Sequence, residues 1–475
     1  MGGGVGVGWF GILFVPMKYI GVVDGNNFFV SCERLFRPDL WGKPVLVLSS
    51  NDGCVVARSQ EVKDMGIVMG VPLFQIKDMV KDKGIVTFSS NFTLYRDISH
   101  RVFSVVKELL PDKEQYSIDE AFFTLEASTV EDASRQLRAI KQEVEQRVGI
   151  PVSIGIAATK TQAKYASKLA KKNGGVAVLD ATAWNELSPS IPVQSIWGVG
   201  GALQRRYKAA GLLSVADVMV CPLARIASLF GVVGSRLQAE LLGRVAYPVL
   251  VSTKPAQSIT SSRSFKNTTT ECAVVKDAVA YHVRQVVSDV VKQQQVAGRL
   301  TVLLGTSRHS DYFMRGGTKT VDFFNSTADV MVVMMAAQKL VDELFESDVP
   351  FKKVGVVLSD LVSVQTVQPN LFAGLVAPKR ATDTSHTRDC FVPRKDNADL
   401  VTTGDLTDCT GTCNDDAPGL VTDNITDLVM ELNERFGIET VQLGKHTKVM
   451  DWQSKHEQVS PSYTTQWSQL AVVKA

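Results

Sequence analysis

Apolar and polar segments alternate along the chain from Lys18 onward. Short apolar runs are typical of buried strands, and longer segments whose apolar residues recur at helical spacing are typical of helices. Up to Asp180 the strand-like runs are YIGVVD, KPVLVLSS, IVTFSS and VSIGIAA, and the helix-like segments include NNFFVSCERLF and LYRDISHRVFSVVKELL. This pattern predicts an α/β region with at least four strands.

The pattern changes after Asp180. Residues 181–245 carry Leu, Ala, Arg and Val at helical spacing and predict a small all-helical unit, and VSTKPAQS predicts a linker. The helix-like segments CAVVKDAVAYHVRQVVSDVVKQ and TADVMVVMMAAQKLVDELF then occur with the strand-like RLTVLLGTS, TKTVDFF and FKKVGVVLSDLV. They predict a second α/β unit with two helices on one face of a mixed sheet. Residues 376–425 are rich in Asp and small polar residues and predict a disordered acidic tether.

Composition narrows the class of protein. A length of 475 residues predicts several domains, and 45% hydrophobic with 21% charged residues is typical of a soluble globular protein. The formal net charge of +2 gives no global sign of a nucleic-acid or membrane partner, so any basic surface must be local. Seven scattered cysteines indicate a reduced, cytoplasmic protein. Residues 1–17 lack the features of a signal peptide and are interpreted as a non-native extension or a disordered leader.

Three acidic residues stand at the ends of apolar strands. Asp24 ends YIGVVD, and Asp119 and Glu120 are adjacent at the start of DEAFF. Because neighbouring strand residues point to opposite faces, and a buried unpaired carboxylate costs roughly several kcal/mol, a compensating cation is one explanation. Three hard oxygen donors suit Mg²⁺, and two such ions can clamp the attacking and leaving oxygens of a phosphoryl displacement. The alternative is that all three are turn residues with no mutual contact.

Lysines recur in the segment TKTQAKYASKLAKKNGG. The i, i+4 row comprises Lys160, Lys164, Lys168 and Lys172. It predicts four ammonium groups along one stripe of a helix, with Lys171 beside that stripe. Like charges at this spacing repel each other, so a polyanion is a natural partner. One hypothesis is that a lysine of this row reaches a triphosphate held by the metal ions. The alternative is a solvated charged face.

The segment PVQSIWGVGGALQRRYKAAGLLS has the layout of two helices joined by the glycine-bearing turn WGVGG. A helix-hairpin-helix turn of this kind offers backbone N–H groups to a nucleic-acid phosphate. The alternative is an ordinary αα-hairpin that carries glycine in its turn.

Together these segments resemble the Y-family translesion DNA polymerases, and within them the UmuC group of bacterial DNA polymerase V and its plasmid-borne relatives. The resemblance rests on VVDGNNFFVSCE, FRPDLWGKPVLVLSSNDGCVVARS, FSSNFTLYRDIS, YSIDEAFF, GIAATKTQAKYASKLAKKNGG and SPSYTTQWSQL. It implies an α/β multidomain, right-hand polymerase. The implied parts are a palm (18–30 and 85–180), small fingers (31–84), a helix-hairpin-helix thumb (181–245), a linker (246–254), an α/β little finger (255–365), a clamp-binding motif (366–375), the tether (376–425) and a C-terminal UmuC-specific segment (426–475).

The resemblance also implies roles for individual residues. Asp24, Asp119 and Glu120 match the catalytic carboxylates that bind two Mg²⁺ ions, and the carbonyl of Gly25 is a further metal ligand. Phe29 matches the steric gate, an aromatic ring that excludes a 2′-hydroxyl on the incoming sugar. Further positions at the nucleotide are Phe28, Cys54, Val56, Lys63 and Lys164. Positions at the DNA are Lys168, Gly198, Gly200 and Arg263.

Partners and an activity are implied by the same resemblance. Gln368, Leu371 and Phe372 in VQPNLF match a pentapeptide that binds the beta sliding clamp. The other expected partners are primer-template DNA with dNTP, a processed UmuD dimer and a RecA filament, with no membrane. The implied function is error-prone, template-directed translesion DNA synthesis by two-metal nucleotidyl transfer, in the SOS response at the bacterial nucleoid. The alternative is a catalytically inactive, DNA-bound recruitment platform for the clamp and the damage response.

Overall fold

The computed structural model describes residues 17–251, 255–307, 315–366, 424–436, 440–441, 443–444, 452 and 456–470. The chain divides into two compact units, Met1–Lys254 with Ser454–Ala475, and Pro255–Gln453. The predicted leader up to residue 16, the clamp-binding residues Gln368, Leu371 and Phe372, and the tether up to residue 423 lie outside the described residues. No helix in the described ranges is both long enough and apolar enough to cross a membrane.

The first unit contains two β-sheets. Its strands are β1 (Met17–Gly25), β2 (Val45–Leu48), β3 (Val55–Arg58), β4 (Val86–Ser89), β5 (Lys113–Gln115), β6 (Glu120–Ala127), β7 (Val152–Ala157) and β8 (Val176–Val178). The larger sheet has the order β5-β6-β1-β7-β8, and the smaller sheet has the order β3-β2-β4. Val22 and Val23 of β1 point to opposite faces, and both are completely buried. The apolar run of β1 therefore reflects a sheet that is covered on both faces.

The helices of the first unit pack on its two sheets. They are α1 (Phe28–Phe36), α2 (Gln60–Asp64), α3 (Leu73–Asp82), α4 (Phe92–Leu109), α5 (Val130–Val148), α6 (Lys160–Ala170), α7 (Ala181–Leu187), α8 (Gly201–Ala209), α9 (Val215–Val220) and α10 (Leu223–Leu241). Helices α2 and α3 pack on the smaller sheet. Val23 lies in a hydrophobic cluster with α4 and α5, whereas Val22 lies in another cluster with α6 and with α7 to α10. The helices that follow Asp180 thus pack with α6 on the face opposite to α4 and α5.

Helix α6 lies very close to β7. A Cβ atom built on Gly155 of β7 would lie 2.0 Å from the backbone nitrogen of Ser167 in α6. Glycine is required here because any side chain at position 155 would push the strand and the helix apart. At the start of α6, the Thr159 hydroxyl accepts a hydrogen bond from the N–H of Gln162 and donates one to the carbonyl of Glu240 (2.9 Å). These contacts fix where the lysines of α6 lie over the sheet.

The second unit is a four-stranded sheet with helices packed on it. Its elements are β9 (Ser258–Thr269), α11 (Cys272–Lys292), β10 (Gln295–Thr306), β11 (Gly316–Thr327), α12 (Val330–Leu344), β12 (Phe351–Ser363) and α13 (Asn424–Phe436). The strand order is β11-β10-β12-β9, and each neighbouring pair is antiparallel. The prediction of a mixed sheet is therefore wrong. The sequence pattern does not reveal β9 because this edge strand, SITSSRSFKNTT, is almost wholly polar.

The described C-terminal residues contribute to both units. Trp452 is buried in the hydrophobic cluster of the second unit. Residues 456–470, which we call the docked segment, belong to the first unit. There Val459 forms a parallel bridge with Ser89 at the end of β4, and Tyr463 stacks on Phe36 of α1 with ring centroids 4.6 Å apart. The docked segment is thus an integral part of the first unit's core.

Candidate active site

The three predicted catalytic carboxylates lie at neighbouring strand ends of the larger sheet. β1 pairs antiparallel with β6 in a register that sets Asp24 directly opposite Glu120. The backbone N–H of Gly25 donates to the carbonyl of Asp119 (2.8 Å), which brings the third acidic residue to the same edge. Strand pairing therefore joins positions 24 and 119–120, which lie far apart in the sequence.

A sharp turn separates β1 from α1. The N–H of Asn26 donates to the carbonyl of Pro151 (2.8 Å), and the Ser31 hydroxyl donates to the carbonyl of Asn26 (2.6 Å). Asn27 has a left-handed backbone with φ of 48°, a conformation that asparagine adopts more readily than most residues. The two asparagines thus place an aspartate at a strand end and an aromatic pair in the first turn of a helix.

Asp24 lies in a partly buried and negatively charged environment. Burial raises the pKa of Asp24 to about 6. The ion pair with Lys171, whose Nζ lies 2.8 Å from Asp24 Oδ1, opposes this rise, and the charges of Glu120 and Asp119 add to it. Neighbouring carboxylate charges that raise the pKa of Asp24 in this way favour a cation between them.

Glu120 and Asp119 also have partners. The Lys164 ammonium forms an ion pair with Glu120 Oε1, and the Ser117 hydroxyl donates to Asp119 Oδ1 (2.6 Å). Within the described residues, no three Asp, Glu, His or Cys side chains lie close enough together to hold a metal ion. The expected three-carboxylate cluster is therefore not gathered, because separate groups satisfy the carboxylates. The donor set nevertheless fits Mg²⁺, since it supplies three carboxylates at one edge of the sheet, two of which lysines neutralise here.

The predicted lysine row is only partly a helical stripe. α6 ends before Lys172, so this residue is not on the helix. Lys160 is 4% exposed, and its ammonium pairs with Glu114 (2.5 Å) inside the protein. The prediction of four lysines along one helical stripe therefore holds for Lys160, Lys164 and Lys168 and is wrong for Lys172. Lys164 remains beside the carboxylates, and Lys168 is exposed on the last turn of α6.

Lys63 reaches the same region from α2. Its ammonium donates to the side-chain oxygen of Asn27. Burial lowers the pKa of Lys63, the charges of Lys171 and Arg58 lower it further, and the charge of Asp24 raises it. Lys63, Lys171 and Arg58 therefore lie close enough to influence one another, and Lys171 is paired with Asp24. Arg58 was not among the residues assigned from the sequence. Cations gathered in this way are suited to bind the oxygens of a polyphosphate.

The two adjacent phenylalanines have different surroundings. Phe28 is 4% exposed and packs on Gly25, where an added Cβ atom would lie 2.8 Å from the ring. Phe29 is half-buried and stacks on Tyr95, with ring centroids 4.4 Å and planes 13° apart. The ring of Phe92 contacts Phe29 edge-on at 5.7 Å. Phe28 is thus a core residue, whereas Phe29 contacts two aromatic rings, Phe92 and Tyr95, that lie in the first turn of α4.

Cys54 and Val56 lie on the smaller sheet. Cys54 forms an isolated bridge with Pro72, and its N–H donates to the Ser49 hydroxyl (3.0 Å). Val56 of β3 is half-buried and packs against the same hydrophobic cluster as Phe29. Their contact with a nucleotide stays a prediction.

The predicted DNA contacts are spread over both units. Gly198 and Gly200 are exposed in the turn before α8, and Gly198 has φ of 86°, which favours glycine. The helix predicted before WGVGG is only a 3₁₀ turn, Val193–Ser195. Arg263 lies on β9 in the second unit, with its guanidinium 5.6 Å from the ring centroid of Tyr281. Their roles on DNA also stay predictions.

Two residues behind Phe29 are absent from the sequence-based prediction. Tyr95 and Glu33 are completely buried, and the Tyr95 hydroxyl donates to Glu33 Oε1 (2.6 Å). Burial raises the pKa of Glu33 to about 7, and the hydrogen bond from Tyr95 opposes this rise. The available signal is the spacing of Phe92 and Tyr95, which puts two aromatic rings on one side of α4.

Solved structures show which class of protein has this fold. The chain is similar to a Y-family DNA polymerase chimera of Dbh and Dpo4, with a TM-score of 0.61 and 20% sequence identity over 73% of this chain and 99% of that chain. An insertion ternary complex of Dbh DNA polymerase gives a TM-score of 0.51 at 19% identity, again over 73% of this chain and 99% of that chain. The fold is that of a Y-family DNA polymerase, and the predicted α/β multidomain polymerase fold is confirmed.

Sequence comparisons identify the family. The impB/mucB/samB family matches residues 23–168, its C-terminal domain matches residues 256–371, and a domain of unknown function, DUF4113, matches residues 426–473. Protein UmuC of Salmonella typhimurium is 32% identical over 95% of this chain and 99% of that protein. Protein MucB of Escherichia coli is 33% identical over 74% of this chain and 84% of that protein. DNA polymerase IV of Corynebacterium diphtheriae is 35% identical over 41% and 44% of the two chains.

The chain belongs to the impB/mucB/samB family of Y-family DNA polymerases. The resemblance to the UmuC group and the prediction of a DNA polymerase are thereby confirmed.

Proposed function

We propose that this DNA polymerase copies damaged templates in the bacterial SOS response, with low fidelity, by nucleotidyl transfer that uses two Mg²⁺ ions. The observation that carries the proposal is the pairing of Asp24 with Glu120 across β1 and β6, beside a group of lysines. Phosphoryl transfer requires acidic metal ligands next to cations that hold phosphates. The membership of the UmuC group supports the same function.

The proposed metal ligands are the carboxylates of Asp24, Asp119 and Glu120 and the carbonyl of Gly25. When bound there, two Mg²⁺ ions supply positive charge that favours attack by the primer 3′-oxygen and departure of pyrophosphate. Strand pairing keeps Asp24, Asp119 and Glu120 at one edge of the larger sheet, and their side chains would converge when the ions bind. The raised pKa of Asp24 fits a site that takes up positive charge.

Lys63 and Lys164 are the proposed contacts of the incoming triphosphate. Both ammonium groups are paired with residues of the site, Lys164 with Glu120 and Lys63 with Asn27, so they lie where phosphate oxygens can replace those partners. Burial lowers the pKa of Lys63, the charges of Lys171 and Arg58 lower it further, and a bound polyphosphate relieves the repulsion between these cations. Phe28, Cys54 and Val56 are the proposed neighbours of the nucleotide.

The larger sheet is the proposed palm (18–30 and 85–180), and the smaller sheet lies in the proposed fingers (31–84). Helices α7 to α10 form the proposed thumb (181–245), and the antiparallel sheet of the second unit forms the proposed little finger (255–365).

The proposed DNA contacts are Lys168, Gly198, Gly200 and Arg263. Exposed backbone N–H groups at the start of α8 support this role, because a helix N-terminus attracts phosphate.

The proposed protein partners are a processed UmuD dimer, a RecA filament and the beta sliding clamp. The docked segment buries Ser460 and Tyr463 but leaves Trp467 89% exposed. Large exposed aromatic side chains are common anchors of protein interfaces. A partner that docks on the C-terminal segment would therefore use the side that carries Trp467.

Primer extension across an abasic template tests the proposed chemistry. The full chain is assayed with processed UmuD, activated RecA and Mg²⁺, and is compared with Asp119→Ala and Glu120→Ala. Each substitution should lower extension by at least about 100-fold, because even residues that only support a metal ligand have effects of that order. Glu126→Ala is the matched control, since Glu126 is an exposed carboxylate on the same strand as Glu120.

The controls separate the possible failures. If the Asp119→Ala, Glu120→Ala double variant extends primers as well as the wild type, the two-metal assignment is wrong. If Glu126→Ala loses the same activity, the losses reflect folding rather than chemistry. If the wild-type chain binds primer-template DNA but extends no primer in the complete mixture, the recruitment platform becomes the better explanation.

A further inference from the structure

Tyr116 is an aromatic residue at the base of the loop that carries two of the proposed metal ligands. The loop joins β5 to β6, and the N–H groups of Tyr116 (2.9 Å) and Ser117 (3.1 Å) both donate to the carbonyl of Glu120. These hydrogen bonds close a tight turn that contains Asp119. The backbone of Tyr116 is therefore fixed relative to the strand end that carries the carboxylates.

Two aromatic rings hold the Tyr116 ring from the side. It meets Phe122 of β6 edge-on, with ring centroids 5.6 Å apart, and it meets Trp197 edge-on at the same distance. Phe122 is completely buried, so this contact anchors Tyr116 on the core. Trp197 directly precedes residues 198–200, which we call the glycine turn and which include two of the proposed DNA contacts. The Tyr116 ring thus connects the loop of the carboxylates with the glycine turn.

Lys164 joins the Tyr116 ring to the carboxylates. Its ammonium lies 5.5 Å from the ring centroid and also pairs with Glu120. A cation at this distance from an aromatic ring is attracted by it. Even with these three neighbours, Tyr116 is 48% exposed. A ring that is held in place and still presents half of its surface is suited to contact a ligand without further ordering.

We propose that the Tyr116 ring supports the primer strand by packing on the sugars of its last nucleotides. This inference rests on the proposed function, which places the primer 3′-end at the carboxylates and a DNA phosphate at the glycine turn. A strand that reaches from one to the other passes over Tyr116, because this ring contacts Lys164 beside Glu120 and Trp197 beside the turn. Successive nucleotides of a strand rise by about 3.4 Å, so the ring faces about the last two or three of them.

The chemistry of duplex DNA explains why sugars are the groups that the ring contacts. The bases of a duplex are paired and stacked on one another, and its phosphates are bound by N–H groups and cations. The exposed part of an aromatic ring is an apolar surface. The C–H groups of deoxyribose are the apolar surface that a strand presents between its phosphates. The contact is therefore expected to depend neither on the base sequence nor on salt.

Binding of primer-template DNA measures the contact. The full chain with processed UmuD is titrated against labelled primer-template DNA, and the Kd is determined. Tyr116→Ala should raise the Kd about five- to tenfold, the size expected when half of an aromatic side chain is no longer buried. Tyr116→Phe keeps the ring and should bind like the wild type. Trp41→Ala is the matched control and should leave the Kd unchanged, because Trp41 has a similar exposure (52%) and lies beyond the C-terminal end of α1.

The salt dependence of binding separates the ring from the lysines. Tyr116→Ala should leave the slope of log Kd against log salt concentration unchanged, because an apolar contact releases no counterions. Lys168→Ala should lower this slope by about 1, as expected for one lost phosphate contact. A lower slope for Tyr116→Ala would show that the variant removes a charged contact, and the inference would be wrong.

Primer extension separates contact with DNA from an effect on Lys164. In Tyr116→Ala, the KM for primer-template DNA should rise together with the Kd, and the KM for dNTP should stay that of the wild type. If the KM for dNTP rises and the KM for DNA does not, the ring positions Lys164 for the triphosphate and the inference is wrong. Thermal unfolding of each variant identifies any general loss of stability.

Photocrosslinking identifies the strand that the ring contacts. A benzophenone amino acid at position 116 should crosslink to the last nucleotides of the primer, whereas crosslinks to the template strand alone would overturn the inference. Binding and crosslinking require no chemical step, so the inference and the proposed function can fail separately. If the wild type crosslinks to the primer but extends no primer, the proposed function is wrong and the primer contact stands. If the wild type extends primers and Tyr116→Ala binds and extends them equally well, the primer contact is wrong and the proposed function stands.

Discussion

At the residue scale, adjacent residues of the same type have separate roles because of how a helix turns. Phe28 and Phe29 are about 100° apart around α1. One ring packs into the core against Gly25, and the other stacks on Tyr95 and remains half-buried. The sequence FF alone does not reveal this difference, which depends on where α1 lies relative to α4.

Replacement of the two rings should therefore have different consequences. Phe29→Ala should raise ribonucleotide insertion by at least about tenfold with little loss of stability, since steric exclusion is lost. Phe28→Ala should instead lower the free energy of unfolding by about 3–5 kcal/mol, because it opens a cavity in the core. Insertion kinetics and urea denaturation measure the two effects. Phe74→Ala, at a 77% exposed site on α3, is the control and should change neither.

The buried carboxyl group of Glu33 makes stability depend on pH. Its folded-state pKa is raised to about 7, compared with about 4.3 in an unfolded chain, so the folded state holds the proton more tightly. Its stabilising contribution is complete below about pH 4.3 and is lost as the pH rises to about 7, a change on the order of 3 kcal/mol. Glu33→Gln should remove this slope in urea denaturation between pH 5 and pH 8.

The exposed Glu131 at the start of α5 provides the control for that measurement. Glu131→Gln should keep the slope of the wild type. Equal slopes for Glu33→Gln and the wild type would show that Glu33 does not titrate as its burial implies.

At the scale of elements, the sequence predicts the helices and strands that bury apolar side chains, but it does not predict polar edge strands or contacts between distant segments. β1, β7, α4 and α12 follow from their apolar spacing, because that spacing is what covers a core. β9 does not, since it is a polar edge strand. The meeting of Asp24 with Glu120 depends on strand register, and the seat of the docked segment depends on hydrogen bonds to Ser89 and Asn91. Neither the strand register nor the contacts of the docked segment produce a pattern of apolar and polar residues from which they could be predicted.

The close approach of β7 and α6 is a testable property of these two elements. Gly155→Ala should cost about 1–3 kcal/mol of unfolding free energy, because its Cβ would overlap the backbone of α6. Displacement of α6 also moves Lys164, so primer extension should fall as well. Gly53→Ala is the matched control, because its Cβ would be 3.6 Å from the nearest atoms, an ordinary contact. Equal stability of the two variants would contradict the close approach.

At the scale of the whole molecule, the chain does not finish one unit before it starts the next. It leaves the first unit after Lys254 and returns to it at Ser454. The residues matched by the domain of unknown function are consequently divided, with α13 and Trp452 in the second unit and the docked segment in the first. Each unit thus depends on residues from the end of the chain for part of its core.

Aromatic substitutions near the C-terminus should therefore destabilise different units. Trp452→Ala should cost about 3–5 kcal/mol in the second unit, because a buried aromatic side chain is removed from its core. Tyr463→Ala should weaken the first unit instead. Amide hydrogen exchange, followed separately in β12 and in β1, measures each effect. Trp467→Ala removes an exposed ring and should alter neither; equal changes in both strands for Trp452→Ala would contradict the division.

The β-bridge between Val459 and Ser89 has a consequence for C-terminal truncation of the protein. β4 is one of the two outer strands of its sheet, and an uncovered outer strand presents N–H and C=O groups that pair readily with a strand of another molecule. The docked segment covers the end of that strand. A chain that stops before residue 456 is expected to self-associate and precipitate, so a nonsense mutation this late in the gene would remove the polymerase from the cell while every residue of the proposed catalytic centre is still encoded.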